Sequence, residues 1–83
     1  MYFIEFTKIA NKFFQKLSKK DQEIISKKIN QIRENPFRFL KKLQGSKLWR
    51  LRVLKYRAIV DVVVSRNKII VLRIGYRKSV YGG

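Results

Sequence analysis

Residues 48–81 read LWRLRVLKYRAIVDVVVSRNKIIVLRIGYRKSVY. Three apolar runs are interrupted by single arginines at two-residue spacing, and that spacing decides the geometry. Alternate side chains of a strand point to opposite faces. Trp49, Leu51 and Val53 therefore face one way, and Arg50 and Arg52 the other. A second run starts at Tyr56-Arg57 and continues through Ala58, Ile59 and Val60. A third spans Lys68 to Ile74 and ends at Gly75-Tyr76-Arg77. Leu54-Lys55 and Ser65-Arg66-Asn67 are the candidate turns, neither with the Asn-Gly pair that would fix a turn type. The pattern predicts a three-stranded antiparallel meander that buries one face and presents a cluster of guanidinium groups on the other.

Outward from the meander, the N-terminal segment supplies what covers its apolar face. Tyr2-Phe3-Ile4-Glu5-Phe6 alternates and is rich in aromatic and β-branched residues, so it reads as a first strand. Thr7 is placed to cap a helix whose apolar stripe is Ile9, Phe13 and Leu17, widened by Phe14. Ser18-Lys19-Lys20-Asp21 resembles a capping box and opens a second helix, with Ile25, Ile29 and Ile32 on one face. Asn35-Pro36 ends it, because the residue before proline is pushed out of helical geometry. Helices joined this tightly predict an antiparallel hairpin whose apolar face is satisfied by the sheet. Residues 37–47 form a connector with Phe37, Phe39, Leu40 and Leu43 tucked beneath it and a turn at Gln44-Gly45-Ser46. The fold class is α+β, in the order β-α-α-β-β-β, with the two-helix hairpin on one face of a small antiparallel sheet. Eighty-three residues predict one domain, 1–83.

Charge is the largest compositional signal. Twenty-one Lys and Arg stand against five acids, a formal net charge of +16. Self-repulsion of that size destabilises a compact chain and calls for a polyanionic or acidic partner, nucleic acid first. Lysines on helices read as a solvated surface. Arginines inside strands do not, since a strand gains little from them without a partner. With no histidine and no cysteine, imidazole acid–base chemistry, thiol catalysis, disulfides and ordinary zinc sites are excluded. The scattered carboxylates predict no metal centre and no metal cofactor. No apolar run approaches the roughly 20 residues of a membrane span.

Alternation puts Arg50, Arg52 and Arg57 on the open face, with Arg77 and Tyr81 arriving at its rim. Arg57 and Asp61, about 13 Å apart along one strand, are too distant to pair. Lys41, Lys42, Lys47, Lys55 and Lys78 are candidate nucleic-acid contacts around this cluster. Trp49 and Tyr56 fall on the other face and read as core.

The element order, the pattern L-x-G-x-x-x-W-R-L-R-V-x-x-Y-R and the later V-L-R-I-G-Y-R-K-S-V-Y together resemble the RelE/ParE superfamily of type II toxins, the RelE branch more closely. The resemblance covers nearly the whole chain and is densest from Leu43 to Tyr81. It implies a RelE-like microbial ribonuclease fold and a cytoplasmic, metal-independent endoribonuclease that cuts mRNA in the ribosomal A site. It also implies a RelB-like antitoxin partner and no small-molecule cofactor. By resemblance, the two basic residues of the family's second strand fall on Arg50 and Arg52. The phosphate-binding arginine falls on Arg57, the arginine after the last strand on Arg77, and the C-terminal tyrosine on Tyr81. Bacterial members carry lysines where this chain has Arg50 and Arg52, and the loop between Arg77 and Tyr81 is shorter here.

Cleavage of this kind starts with the ribose 2′-OH attacking the adjacent phosphate. It needs a base, an acid and positive charge on the phosphorane. Arginine suits the last role, because its planar fork grips phosphate oxygens in pairs. Arg57 and Arg77 are assigned there. Arginine is a poor base, since its pKa lies above about 12. Tyr81 is a candidate acid or base, or a platform for a stacked nucleobase. The alternatives are a ParE-like toxin that inhibits DNA gyrase without cutting RNA, and a basic RNA-binding domain without catalysis.

Overall fold

The computed structural model describes residues 1–77. The chain runs β1 (Phe3–Phe6), α1 (Lys8–Gln15), α2 (Lys19–Glu34), a single turn of helix α3 (Pro36–Phe39), β2 (Lys41–Lys42), β3 (Trp49–Val53), β4 (Tyr56–Val63) and β5 (Lys68–Tyr76). The five strands form one sheet in the order β1-β5-β4-β3-β2. The meander predicted from alternation is β3-β4-β5, antiparallel throughout. β1 lies parallel to β5, pairing Phe3 with Lys68 and Phe6 with Val71. The α+β class and the order of elements agree with the sequence reading. Two elements were not anticipated, and both lie in the connector. Pro36 starts α3 because its missing N–H costs nothing in a first turn. Lys41 and Lys42 pair with Arg50 and Trp49 as a short edge strand, closed by the Gly45 turn at φ 72°.

The helices are fixed by their ends as well as their faces. The Thr7 hydroxyl accepts from the Ala10 N–H at 3.1 Å and donates to the Leu72 carbonyl at 2.7 Å. It therefore caps α1 and ties the helix start to β5. The Ser18 hydroxyl caps α2 by accepting from the Asp21 N–H. Between them, the Gln22 amide donates to the carbonyls of Phe14 and Leu17, both at 3.1 Å. That gives the Leu17 carbonyl a donor and adds one to the Phe14 carbonyl, which already accepts from the Leu17 N–H. The core lies between helices and sheet. Ala10, Ile25, Ile29 and Ile32 meet Leu51, Val53, Tyr56, Ala58, Val60, Ile69, Val71 and Ile74, all buried. Among the described residues, no helix is long and apolar enough to cross a membrane.

Two expectations about packing need correction. Ile9 is 67% exposed, and Ala10 holds the buried position on α1. Phe13, Phe14 and Leu17 pack against the core as expected, and Ala10 takes the inward place expected of Ile9. Phe37 is exposed rather than tucked in, with its ring 5.1 Å from that of Trp49.

One irregularity in the sheet bears on the site. Between Ile59 and Val60 the register with β5 shifts: Ile59 stands opposite Arg73, and Val60 opposite Val71. Leu72 is thus an extra residue on β5, a β-bulge. Simple alternation from Ile69 and Val71 would send Arg73 into the core. The bulge turns Ile74 inward instead, where it is buried, and leaves Arg73 exposed.

Candidate nucleic-acid interface on the open sheet face

Residues directly opposite one another on paired strands share a face. The register therefore gathers the arginines without further assumption. Arg52 stands opposite Arg57, and Arg50 opposite Ile59. Arg73 is the other neighbour of Ile59. Lys41 stands opposite Arg50 on β2. By alternation these fall on the face away from the helices, although Arg73, at the edge of β5, also borders a pocket with Lys12 and Lys16 of α1. Like charges directly opposite each other destabilise a sheet. The Arg52–Arg57 pair sets two like charges directly opposite each other. Arg50 and Arg57 are half-buried, with their Nε atoms shielded from solvent, while Arg52 is exposed. On its β5 side Arg57 faces Gly75, which carries no side chain to cover it.

Beside Arg57 the sheet opens into a cleft of about 640 Å³ lined by Lys55, Arg57, Tyr76 and Arg77. Its wall is the two-residue turn Leu54-Lys55 between β3 and β4. Leu54 holds a left-handed φ of 55°, an uncommon conformation for a branched side chain. Arg77 clamps that turn: its backbone N–H donates to the Lys55 carbonyl at 3.0 Å, and its Nη1 lies 3.5 Å from the Leu54 carbonyl. Behind the cleft, the Tyr56 hydroxyl donates to Asp21 Oδ2 at 2.6 Å. This bond, then burial, then the negative charge of Asp21, push the Tyr56 phenol up to about 12. Tyr56 is 3% exposed and belongs to the core, as alternation predicted.

The sequence-selected residues separate into groups. Arg50, Arg52, Arg57 and Lys41 share the open face, and Lys55 and Arg77 join Arg57 at the cleft. Lys42 is set apart, because it stands opposite Trp49 and holds its ammonium 5.1 Å from that ring. Lys47 reaches Asp61 at 3.7 Å. Lys78 and Tyr81 lie outside the described residues. Two residues escaped the sequence reading. Arg73 could be found only through the bulge. Tyr76 lines the cleft at 48% exposure, and its place beside Arg77 in the Gly-Tyr-Arg run was the available signal.

The family described as the ParE toxin of type II toxin-antitoxin systems matches residues 4–81. The chain belongs to that family and is a toxin of the RelE/ParE group of type II toxin-antitoxin systems. Its structure is similar to that of the isolated Escherichia coli RelE toxin, with 27% identity over 99% of this chain and 93% of that one and a TM-score of 0.80. The toxin in the archaeal RelE–RelB complex from Pyrococcus horikoshii is 25% identical, covering 94% of this chain and 97% of that one, with a TM-score of 0.81. A chain of the RelBE2 toxin-antitoxin complex from Mycobacterium tuberculosis shares the fold at 20% identity and a TM-score of 0.83, covering 92% of this chain and 98% of that one. No curated protein sequence matches the chain significantly.

Proposed function

We propose that this toxin is a RelE-type mRNA interferase: a cytoplasmic, ribosome-dependent endoribonuclease that cuts mRNA in the A site and is neutralised by a RelB-like antitoxin. The observation that carries this reading is the register of β3 on β4, which sets Arg52 against Arg57 beside an open cleft bordered by Arg77. Such a cluster suits a phosphate whose charge grows as the 2′ oxygen attacks. In this reading Arg57 and Arg77 grip the scissile phosphate, Arg50 and Arg52 add positive potential along the strand, Lys41 and Lys47 track the flanking backbone, and Lys55 borders the cleft beside Arg57. Tyr81 and Lys78, which follow Arg77 closely in sequence, lie outside the described residues and are assigned to the reaction from the sequence alone. The guanidinium groups contribute charge and geometry, and the ribosome orients the 2′-OH. RelE–RelB complexes among the structural relatives support an antitoxin partner. An acidic or amphipathic segment laid over the arginine face would inhibit by covering it.

The family match favours a second reading, a ParE-like toxin that blocks DNA gyrase through protein contact. Programmed ribosomes with a defined codon in the A site separate the two. Cleavage within that codon, mapped by primer extension and lost in Arg57→Ala, is the expected result. Intact mRNA with folded toxin, together with inhibited supercoiling by gyrase, would overturn the nuclease reading.

A further inference from the structure

The arginines account for charge at the phosphate but supply no proton for the departing oxygen, and Tyr81, the candidate acid or base of the sequence, lies outside the described residues. A guanidinium holds its proton tightly; an ammonium releases one about a hundredfold more readily. The cleft contains one lysine among the described residues, Lys55. Three features hold it there. The turn that carries it is kept in its strained left-handed form by two contacts from Arg77. Its ammonium lies 5.8 Å from the ring centroids of both Tyr56 and Tyr76. Those rings are themselves fixed, Tyr56 by Asp21 and Tyr76 by an edge contact with Phe13 and a tilted one with Tyr56. A strained turn clamped by a site residue is where positioning of a reactive group is expected. The cation–π contacts hold the amine against rings on the helix side, at the edge of the cleft that Lys55 shares with Arg57, and do not consume its protons.

We propose that Lys55 is the general acid of the reaction, an inference that rests on the nuclease reading. As the O2′–P bond forms, the 2′-OH gives its proton to water. As the P–O5′ bond breaks, the Lys55 ammonium gives a proton to O5′. The products are a 2′,3′-cyclic phosphate and a 5′-hydroxyl, and the neutral amine is reprotonated from solvent. Arg57 and Arg77 stay cationic throughout.

The test uses the intact toxin, programmed ribosomes, and two mRNAs that differ in one atom: the natural 5′ oxygen at the scissile bond, or sulfur in its place. A thiolate leaves without a proton, so it has no need of a general acid. Lys55→Gln is expected to lose about 10²- to 10⁴-fold on the oxygen substrate. On the sulfur substrate its rate should come within about tenfold of the unsubstituted toxin, which is the signature of a missing acid. Lys55→Arg should fall between and be rescued in the same way. An equal loss on both substrates would overturn the proposal and reduce Lys55 to a binding contact, as would no loss on either. Failure of the unsubstituted toxin to cut either mRNA would overturn the nuclease reading itself and this proposal with it. Unchanged thermal melting of Lys55→Gln shows that the fold is intact.

Discussion

Replacing Tyr56 with Phe removes one hydroxyl and its 2.6 Å bond to Asp21, with no change in ring packing. A hydrogen bond to a charged acceptor contributes about 1.5–3 kcal/mol. Asp21 is half-buried, so its carboxylate recovers water in the variant, and the cost falls near the lower end, about 1.5–2 kcal/mol. The pH dependence gives an independent handle on the same bond. The Tyr56 phenol is raised from 10.0 to about 12 in the folded state. Below pH 10 the phenol is protonated in both states and the stabilisation is complete. Between pH 10 and 12 the unfolded chain gives up its proton first, so the stabilisation is lost as pH rises through the folded value. Two pK units correspond to about 2.7 kcal/mol, which solvent screening at the half-exposed Asp21 brings down to about 2. For a domain of this size, that is a drop in Tm of about 6–16 °C for Tyr56→Phe at pH 7. Thermal melts of both proteins from pH 7 to 12 should show the gap closing as pH approaches 12. Equal melting temperatures at pH 7 would refute the energetic argument. A gap that persists unchanged at pH 12 would refute its assignment to the phenol proton.

Ile32→Ala should cost about 2–5 kcal/mol, because Ile32 is fully buried, whereas Ile9→Ala should fall within about 0.5 kcal/mol. Denaturant melts decide between this ranking and the equal importance that a helical stripe through Ile9 would give. Thr7→Val should lose about 1–2 kcal/mol, since one hydroxyl serves both the α1 cap and the Leu72 carbonyl; chemical denaturation monitors it. Binding to single-stranded RNA should weaken with salt, each phosphate contact adding about 0.7 to the log–log slope. Arg52→Ala and Arg57→Ala should each flatten that slope by about one such step in a fluorescence titration.

The meander and the faces of its arginines were legible in the sequence because strand alternation is a local rule. Arg50, Arg52 and Arg57 needed only the parity of their positions. Both meander turns could be placed as well, although their left-handed residues, Leu54 and Asn67, could not be named in advance. What stayed hidden depends on distant pairing. The place of β1 beside β5 joins residues more than 60 positions apart. Arg73 was invisible because a bulge is a mismatch between two strands and cannot be read from either alone. The error at Ile9 has another origin: α1 gives the inward position to the small Ala10, and a hydrophobicity pattern favours the larger neighbour. The cleft itself arises where Gly75 faces Arg57 and Arg77 grips Leu54-Lys55, contacts that span the meander from end to end.

The parallel pairing of β1 with β5 also has a consequence for biosynthesis. Among the described residues β5 is the last strand to be made, and it lies between β1 and β4. Until it leaves the ribosome, the first strand has no partner and the hydrophobic side of the helices has only part of its floor. Long-range closure of this kind is slow and all-or-none. A chain halted before Lys68 should therefore show no cooperative melting. Topology therefore delays the completed sheet until β5 is made and leaves a window in which a partner can capture the product.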